Sequence, residues 1–349
     1  MISLHLEDYK SLFIGSAFFS CGGGVPYANS IALMNQSAQN PKTKLMSLVD
    51  FSPTDWLCTV YAIGASGHGE KKYSSFLLAI QQLEDHLGIQ IAGVIPGEIG
   101  SEINAVWVAN NNNLAIVDTD MVGGRAVPEE QMDLYGLKGI PSTPVVIVND
   151  KSDVIIVKEA HDMVVMEKVY RSFAIAFGGY CYIASRPLQQ KNAQTFLPSG
   201  TVTKSILVGR EMLSCKTENQ IIKVFQKNCN SRLLAKGKVM ANSLKDEPGF
   251  LSGIIHLEGC GVFSSKKFTI HYKNENIIIF QDNEYLCSVP DLISIVDSES
   301  LMPVSNNSLQ VGNTVLIFGT PSLPVWRTKQ GIDLLGPKQF GFNQNYKPL

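Results

Sequence analysis

A chain of 349 residues that is 45% hydrophobic and 17% charged is long enough to bury a sizeable core in two domains. Lys and Arg number 29 against 31 Asp and Glu, a net charge of −2, and no basic block or basic-aromatic interleaving occurs, which argues against a nucleic-acid surface. The N-terminus lacks a basic segment followed by an apolar one, no apolar run reaches membrane length, and the seven cysteines are an odd set without a Cys-x-x-Cys pair; secretion, membrane insertion, a disulfide framework and a zinc ribbon are disfavoured, and a reducing cytoplasm fits best.

In chain order, residues 4–19 have helical spacing and stop at a Gly-rich turn, and residues 30–39 read as a second helix. Strands are expected at 44–49 and 57–63. Residues 71–87 place Phe76, Ile80, Leu83 and Leu87 on one helical face, with Gly88 as the stop. Strands at 91–95 and 114–117 flank a helix at 104–110. This β-α-β order predicts an α/β domain with a partly parallel or mixed sheet, carrying the candidate site, over residues 1–160. Val/Ile-rich runs at 145–148 and 154–157 follow, then helices at 162–177 and at 202–225, the latter interrupted near Gly209. Short strands at 253–257, 267–272, 276–280, 292–296 and 314–318 make residues 161–349 an α+β domain, mainly β toward the C-terminus, as a barrel or sandwich.

In α/β sheets ligands gather beyond the carboxyl ends of strands, and three loops there are rich in polar residues and glycine. After the strand at 114–117 comes Asp118-Thr119-Asp120-Met121-Val122-Gly123-Gly124-Arg125-Ala126-Val127-Pro128-Glu129. If the segment stays extended, Asp118 and Asp120 share a face, where like charge and burial would separate their pKa values into an acid and a base. The alternative is an Asx-turn in which Asp120 caps the loop. Gly123 and Gly124 let backbone amides approach a ligand, Arg125 offers a bidentate fork for an anion or is solvent-exposed or paired with Glu129, and Glu129 after Pro128 suits a helix N-terminus. Glu98 and Glu102 follow another strand and share a face if that segment is helical. His68, between Gly67 and Gly69, reads as a loop residue open to proton or metal chemistry, or merely exposed.

Upstream, Cys21-Gly22-Gly23-Gly24 puts one thiol before three glycines whose amides can form an anion nest; Cys21 is either a nucleophile or a small buried residue. Neither Gly-rich segment has nucleotide-binding spacing. Cys21, His68 and the carboxylates permit a divalent metal, but no compact ligand spacing is present, and no cofactor is assigned. Arg186-Pro187, residues 200–204 and residues 326–328 read as packing or turns, with contact to the first domain or to a neighbouring subunit as the alternative.

These segments, with Gly64-Ala65-Ser66-Gly67-His68-Gly69-Glu70, Glu98-Ile99-Gly100-Ser101-Glu102-Ile103-Asn104 and the closing Gly336-Pro337-Lys338-Gln339-Phe340-Gly341-Phe342, resemble in order and separation the S-methyl thiohydantoin desulfurase family, formerly a domain family of unknown function, found beside hydantoin-processing enzymes. The likeness covers nearly the whole chain. It departs at Val25, where the family usually has an aspartate before Pro-Tyr. The resemblance implies a hydrolase that releases methanethiol from an S-methyl thiohydantoin-like ring and leaves hydantoin. Catalysis would involve Cys21, Glu98, Asp118 and Asp120, with substrate contacts from Gly22, Gly23, Gly24, Gly67, His68, Gly123, Gly124, Arg125 and Glu129. Alternatives are another hydantoin- or lactam-processing hydrolase, or a non-catalytic subunit of a hydantoinase or oxoprolinase partner. The apolar, Cys-containing C-terminal half suggests a homo-oligomer.

Overall fold

The computed structural model describes residues 1–37, 43–64, 72–177, 179–247 and 250–349. The elements of the first part are β1 (Ile2–Ser3), α1 (Leu6–Phe19), α2 (Tyr27–Ser37), β2 (Lys44–Met46), β3 (Trp56–Gly64), α3 (Ser74–Leu87), β4 (Ile91–Pro96), α4 (Ile103–Asn112), β5 (Ala115–Val117), α5 (Leu134–Leu137), β6 (Val145–Val148), β7 (Val154–Val157), α6 (Met163–Ala176), β8 (Tyr180–Gln189) and α7 (Gln190–Ala193). The rest comprises α8 (Thr201–Ser214), α9 (Glu218–Cys229), β9 (Arg232–Glu247), β10 (Phe250–Gly259), β11 (Lys267–Lys273), β12 (Glu275–Gln281), β13 (Glu284–Ser288), β14 (Leu292–Asp297), β15 (Thr314–Thr320) and α10 (Lys329–Leu335). They group into two compact units. The first holds residues 1–9, 30–124 and 129–203, and the second holds 10–29, 125–128 and 204–349.

The first unit is built on a mixed sheet of order β1-β2-β5-β4-β3-β8-β6-β7, parallel from β2 through β3 and antiparallel elsewhere. Its parallel part follows from the β3-α3-β4-α4-β5 order, because each crossover helix returns the chain to the same end of the sheet. Helix α3 turns Phe76, Ala79, Ile80 and Leu83 into the core and ends at Gly88, whose φ of 66° lets its N–H reach the Glu84 carbonyl at 2.8 Å. Strand β8 lies past residue 160 yet pairs with β3 and β6. Its sequence hides it: Ser185-Arg186-Pro187 breaks any apolar alternation, and the register with β3 shifts there.

The second unit carries one antiparallel sheet of order β13-β12-β11-β10-β9-β15-β14. It curls enough for Asn276 Nδ2 on β12 to donate to the Ile293 carbonyl on β14 at 2.9 Å. Neither a closed barrel nor a two-sheet sandwich is formed by these strands. The core joins Phe18, Phe225 and Phe318, with the Phe18 and Phe225 rings stacked at a centroid separation of 3.8 Å.

Helix α8 runs unbroken through Gly209. The expected interruption lies instead at residues 215–217, where the Thr217 hydroxyl caps α9. Gly209 is a crossing point: a methyl group there would meet the Ser11 carbonyl oxygen of α1, and one at Gly15 would meet that of Ser205. Among the described residues, no helix is long and apolar enough to cross a membrane. Alanine gains about 1 kcal/mol of helix propensity over glycine, but the backbone collision costs more, so Gly209→Ala is expected to lower stability by about 1–3 kcal/mol in denaturant titration.

Candidate functional site

Strand β5 ends at Val117, so the extended segment on which a shared face for Asp118 and Asp120 depends stops one residue short. Asp118 turns to α8. Its Oδ1 accepts from the Thr203 amide at 2.9 Å and its Oδ2 from the Thr203 hydroxyl at 2.5 Å, while its carbonyl takes the Gly200 N–H at 2.8 Å. It serves as a cap supplied from a distant part of the chain.

Asp120 is fully buried and organises its own loop. Its Oδ1 accepts from the amides of Val122 at 2.9 Å and Gly123 at 2.7 Å, and its Oδ2 from Gly124 at 2.7 Å. The turn requires the glycines, whose φ angles are 91° at Gly123 and 86° at Gly124. Burial pushes the Asp120 carboxyl up to about 6, against the hydrogen bonds from Thr201 and the three amides, which pull it down. This is the capped-loop arrangement, in which the glycine amides are spent on an internal carboxylate.

Glu98, after β4, is half-buried, as is Glu129, which accepts from Gln131 Nε2 at 2.5 Å. Glu102 is buried and accepts from the Gly100 amide at 2.9 Å; α4 begins only at Ile103, so Glu98 and Glu102 do not share a helical face. Gly67 and His68 lie outside the described residues.

Arg186, which reads in sequence as packing or a turn, centres a buried charge cluster of this unit. Arg186 is buried in β8 with a φ of 52°, and its Nη2 pairs with Glu130 Oε1 at 2.5 Å and Asp133 Oδ2 at 2.6 Å. Its Nη1 donates to the Tyr61 hydroxyl at 3.1 Å, the Tyr61 hydroxyl donates to Glu130 Oε1 at 2.9 Å, and the guanidinium lies 5.3 Å from the Tyr135 ring centre. Burial raises the Asp133 carboxyl to about 7, Arg186 opposing and Glu130 reinforcing the shift. The clue in sequence was an arginine before proline, Ser185-Arg186-Pro187, which reads as packing or a turn.

In the second unit, Cys21 sits just past α1 with a φ of 55° and no exposure. Its carbonyl accepts the Asn276 amide at 2.8 Å, and the Gly22 carbonyl accepts that of Asn306 at 2.9 Å. Gly22 and Gly23 are packed too closely for side chains: a methyl at Gly22 would meet the Asn306 amide group and one at Gly23 the Glu275 carboxylate. Gly24 also has a positive φ, 70°. Burial pushes the Cys21 thiol up to about 11; the Arg125 charge lowers it and the Glu275 charge raises it. Arg125 is buried, not exposed, with Nε donating to the Ala126 carbonyl at 3.0 Å and Nη1 to that of Pro290. Its Nη2 has no hydrogen-bond partner among the described residues. The guanidinium and the Glu275 carboxylate thus both act on the thiol electrostatically, and Glu275 was not singled out in sequence because Cys21 lies about 250 residues earlier. Among the described residues, no group of three or more His, Cys, Asp or Glu is placed to hold a metal ion.

Two family models match the chain, the S-Me-THD-like N-terminal domain over residues 7–159 and the S-Me-THD-like C-terminal domain over residues 160–349. The chain belongs to the S-Me-THD-like family. No curated protein matches it. The fold is similar to that of an X-ray crystal structure of a protein from Chromobacterium violaceum, with 20% sequence identity, a TM-score of 0.85 and 100% of each chain covered. At that identity the likeness establishes the fold and is silent on chemistry.

Removing Arg186 strands two buried carboxylates, so Arg186→Met is expected to cost about 3–5 kcal/mol near neutral pH. A second expectation concerns Asp133. With its carboxyl raised from 3.8 to about 7, the folded state holds a proton that the unfolded state has released, so stability falls as pH rises across that interval. Asp133→Asn should flatten that fall in denaturant titrations.

Proposed function

We propose that this protein is a hydrolase of S-methyl thiohydantoin-like five-membered rings. Water adds to the ring carbon bearing the thioether, the C–S bond breaks, and methanethiol leaves. The water oxygen becomes the new carbonyl of a hydantoin, one water proton ending on a ring nitrogen and the other on the departing sulfur. Membership of the S-Me-THD-like family supports the substrate class. What supports the chemistry is that Cys21 and Arg125 are both buried in the second unit, where the guanidinium charge acts on a thiol that burial pushes up and Arg125 Nη2 has no hydrogen-bond partner among the described residues.

Within the second unit, Arg125 Nη2 stabilises the developing ring anion, and the Cys21 thiol, kept protonated by burial, protonates the leaving sulfur instead of attacking as a thiolate. Within the first unit, Asp118 and Asp120 hold their loop. Cys21→Ala tests the thiol. This variant is expected to lower methanethiol release by ~10²–10⁴-fold with folding intact. Asp118→Ala should instead cost about 1–2 kcal/mol of stability and leave turnover by the folded protein unchanged. Full turnover in Cys21→Ala removes the thiol from the mechanism, and no methanethiol from wild type on any such ring refutes the substrate class. A reading as an inactive subunit of a hydantoinase or oxoprolinase partner has no comparable structural observation behind it.

A further inference from the structure

We propose that β7 pairs with β7 of a second copy of this chain, making a two-fold dimer by extending the mixed sheet across its edge. The strand is last in its sheet, and no described strand pairs with its outer side. Its sequence, Val154-Ile155-Ile156-Val157, is β-branched throughout, with no charge, proline or bulge to block an edge, and Ile155 is 39% exposed. Val164 and Val165, each 50% exposed at the start of α6, add apolar surface on the segment that follows.

Hydrogen-bond parity limits the pairing. The Asn149 amide donates to the Asp153 carbonyl, and the register of β6 with β7 then makes Ile147–Ile155 and Val145–Val157 the hydrogen-bonded pairs. The N–H and C=O groups of Val154 and Ile156 therefore point away from β6, along the open edge. Two antiparallel copies can bond only through these residues, in one of three central registers.

Charge selects among them. With Ile156 opposite its own copy, Asp153 lies directly opposite Glu159 of the other chain, an unfavourable like-charge contact. With Val154 opposite its own copy, Ile156 faces Ser152 and the apolar residues no longer match. With Ile155 opposite itself, Val154 bonds Ile156 in both directions and Lys151 faces Glu159 of the other copy, twice by symmetry. The most exposed residue of the strand then sits on the two-fold axis, in the close, non-hydrogen-bonded type of pair. A second copy is the occupant that satisfies edge, apolar face and flanking charges together.

The test is light scattering coupled to size exclusion, with wild type and Ile155→Lys compared over a concentration series. Wild type should be dimeric and the variant should dissociate at least ~10-fold more readily, because one substitution places two like charges at the axis. Ile155 is exposed, so the variant should keep the fold, read as an unchanged far-UV circular dichroism spectrum. A second variant reads the register: Ile155→Cys under mild oxidation should give a covalent dimer linked through residue 155, identified by peptide mass mapping, whereas Val157→Cys should not. A monomeric wild type, or a dimer equally stable in Ile155→Lys, overturns the proposal; a dimer that weakens in that variant but is linked through residue 157 overturns the register.

Discussion

A guanidinium sealed from water must find compensating negative charge, and Arg186 finds it twice. Stripped of solvent, the cation would cost several kcal/mol; with Glu130 and Asp133 both within 2.6 Å of the same nitrogen, the cost is offset and the geometry fixed. The carboxylates belong to the segment that follows the Asp118–Glu129 motif, and the arginine belongs to a central strand. The ion cluster therefore ties the far end of the motif to the sheet of the first unit, while Asp118 ties its near end to the start of α8. Burial raises the Asp133 carboxyl to about 7, with Arg186 opposing the shift and the Glu130 charge adding to it.

That division of labour reassigns the motif. Asp118 and Asp120 looked like an acid–base pair because carboxylates at a strand end beside glycines have the composition of a site. In the folded chain both have both oxygens engaged, one by a helix start and the other by three successive amides. Charges so fully satisfied shape a loop better than they move protons.

Much of the fold was legible in the sequence where periodicity reports local geometry. Helix α3 announced itself by Phe76, Ile80 and Leu83 and by Gly88 at its end, and the β-α-β order implied the parallel strands. What escaped notice depended on partners far along the chain. Strand β8 is interrupted by an arginine that makes sense only beside Glu130 and Asp133, and Gly209 looked like a helix break because its reason, the Ser11 backbone, lies about 200 residues earlier. Glu275 was invisible for the same cause. The parity argument for Asp118 and Asp120 was sound for an extended chain, and it failed because Asp118 is the first residue past the strand.

The central claim is that Asp120 is spent on the amides of Val122, Gly123 and Gly124, and it can be read directly from their hydrogen exchange. The account predicts slow exchange at these three amides in the wild type. In Asp120→Ala they should exchange rapidly, while the amides of β3 and β4 remain protected. Rapid exchange of the three amides in the wild type, or protection undiminished in the variant, would contradict it and return Asp120 to the list of groups available for catalysis.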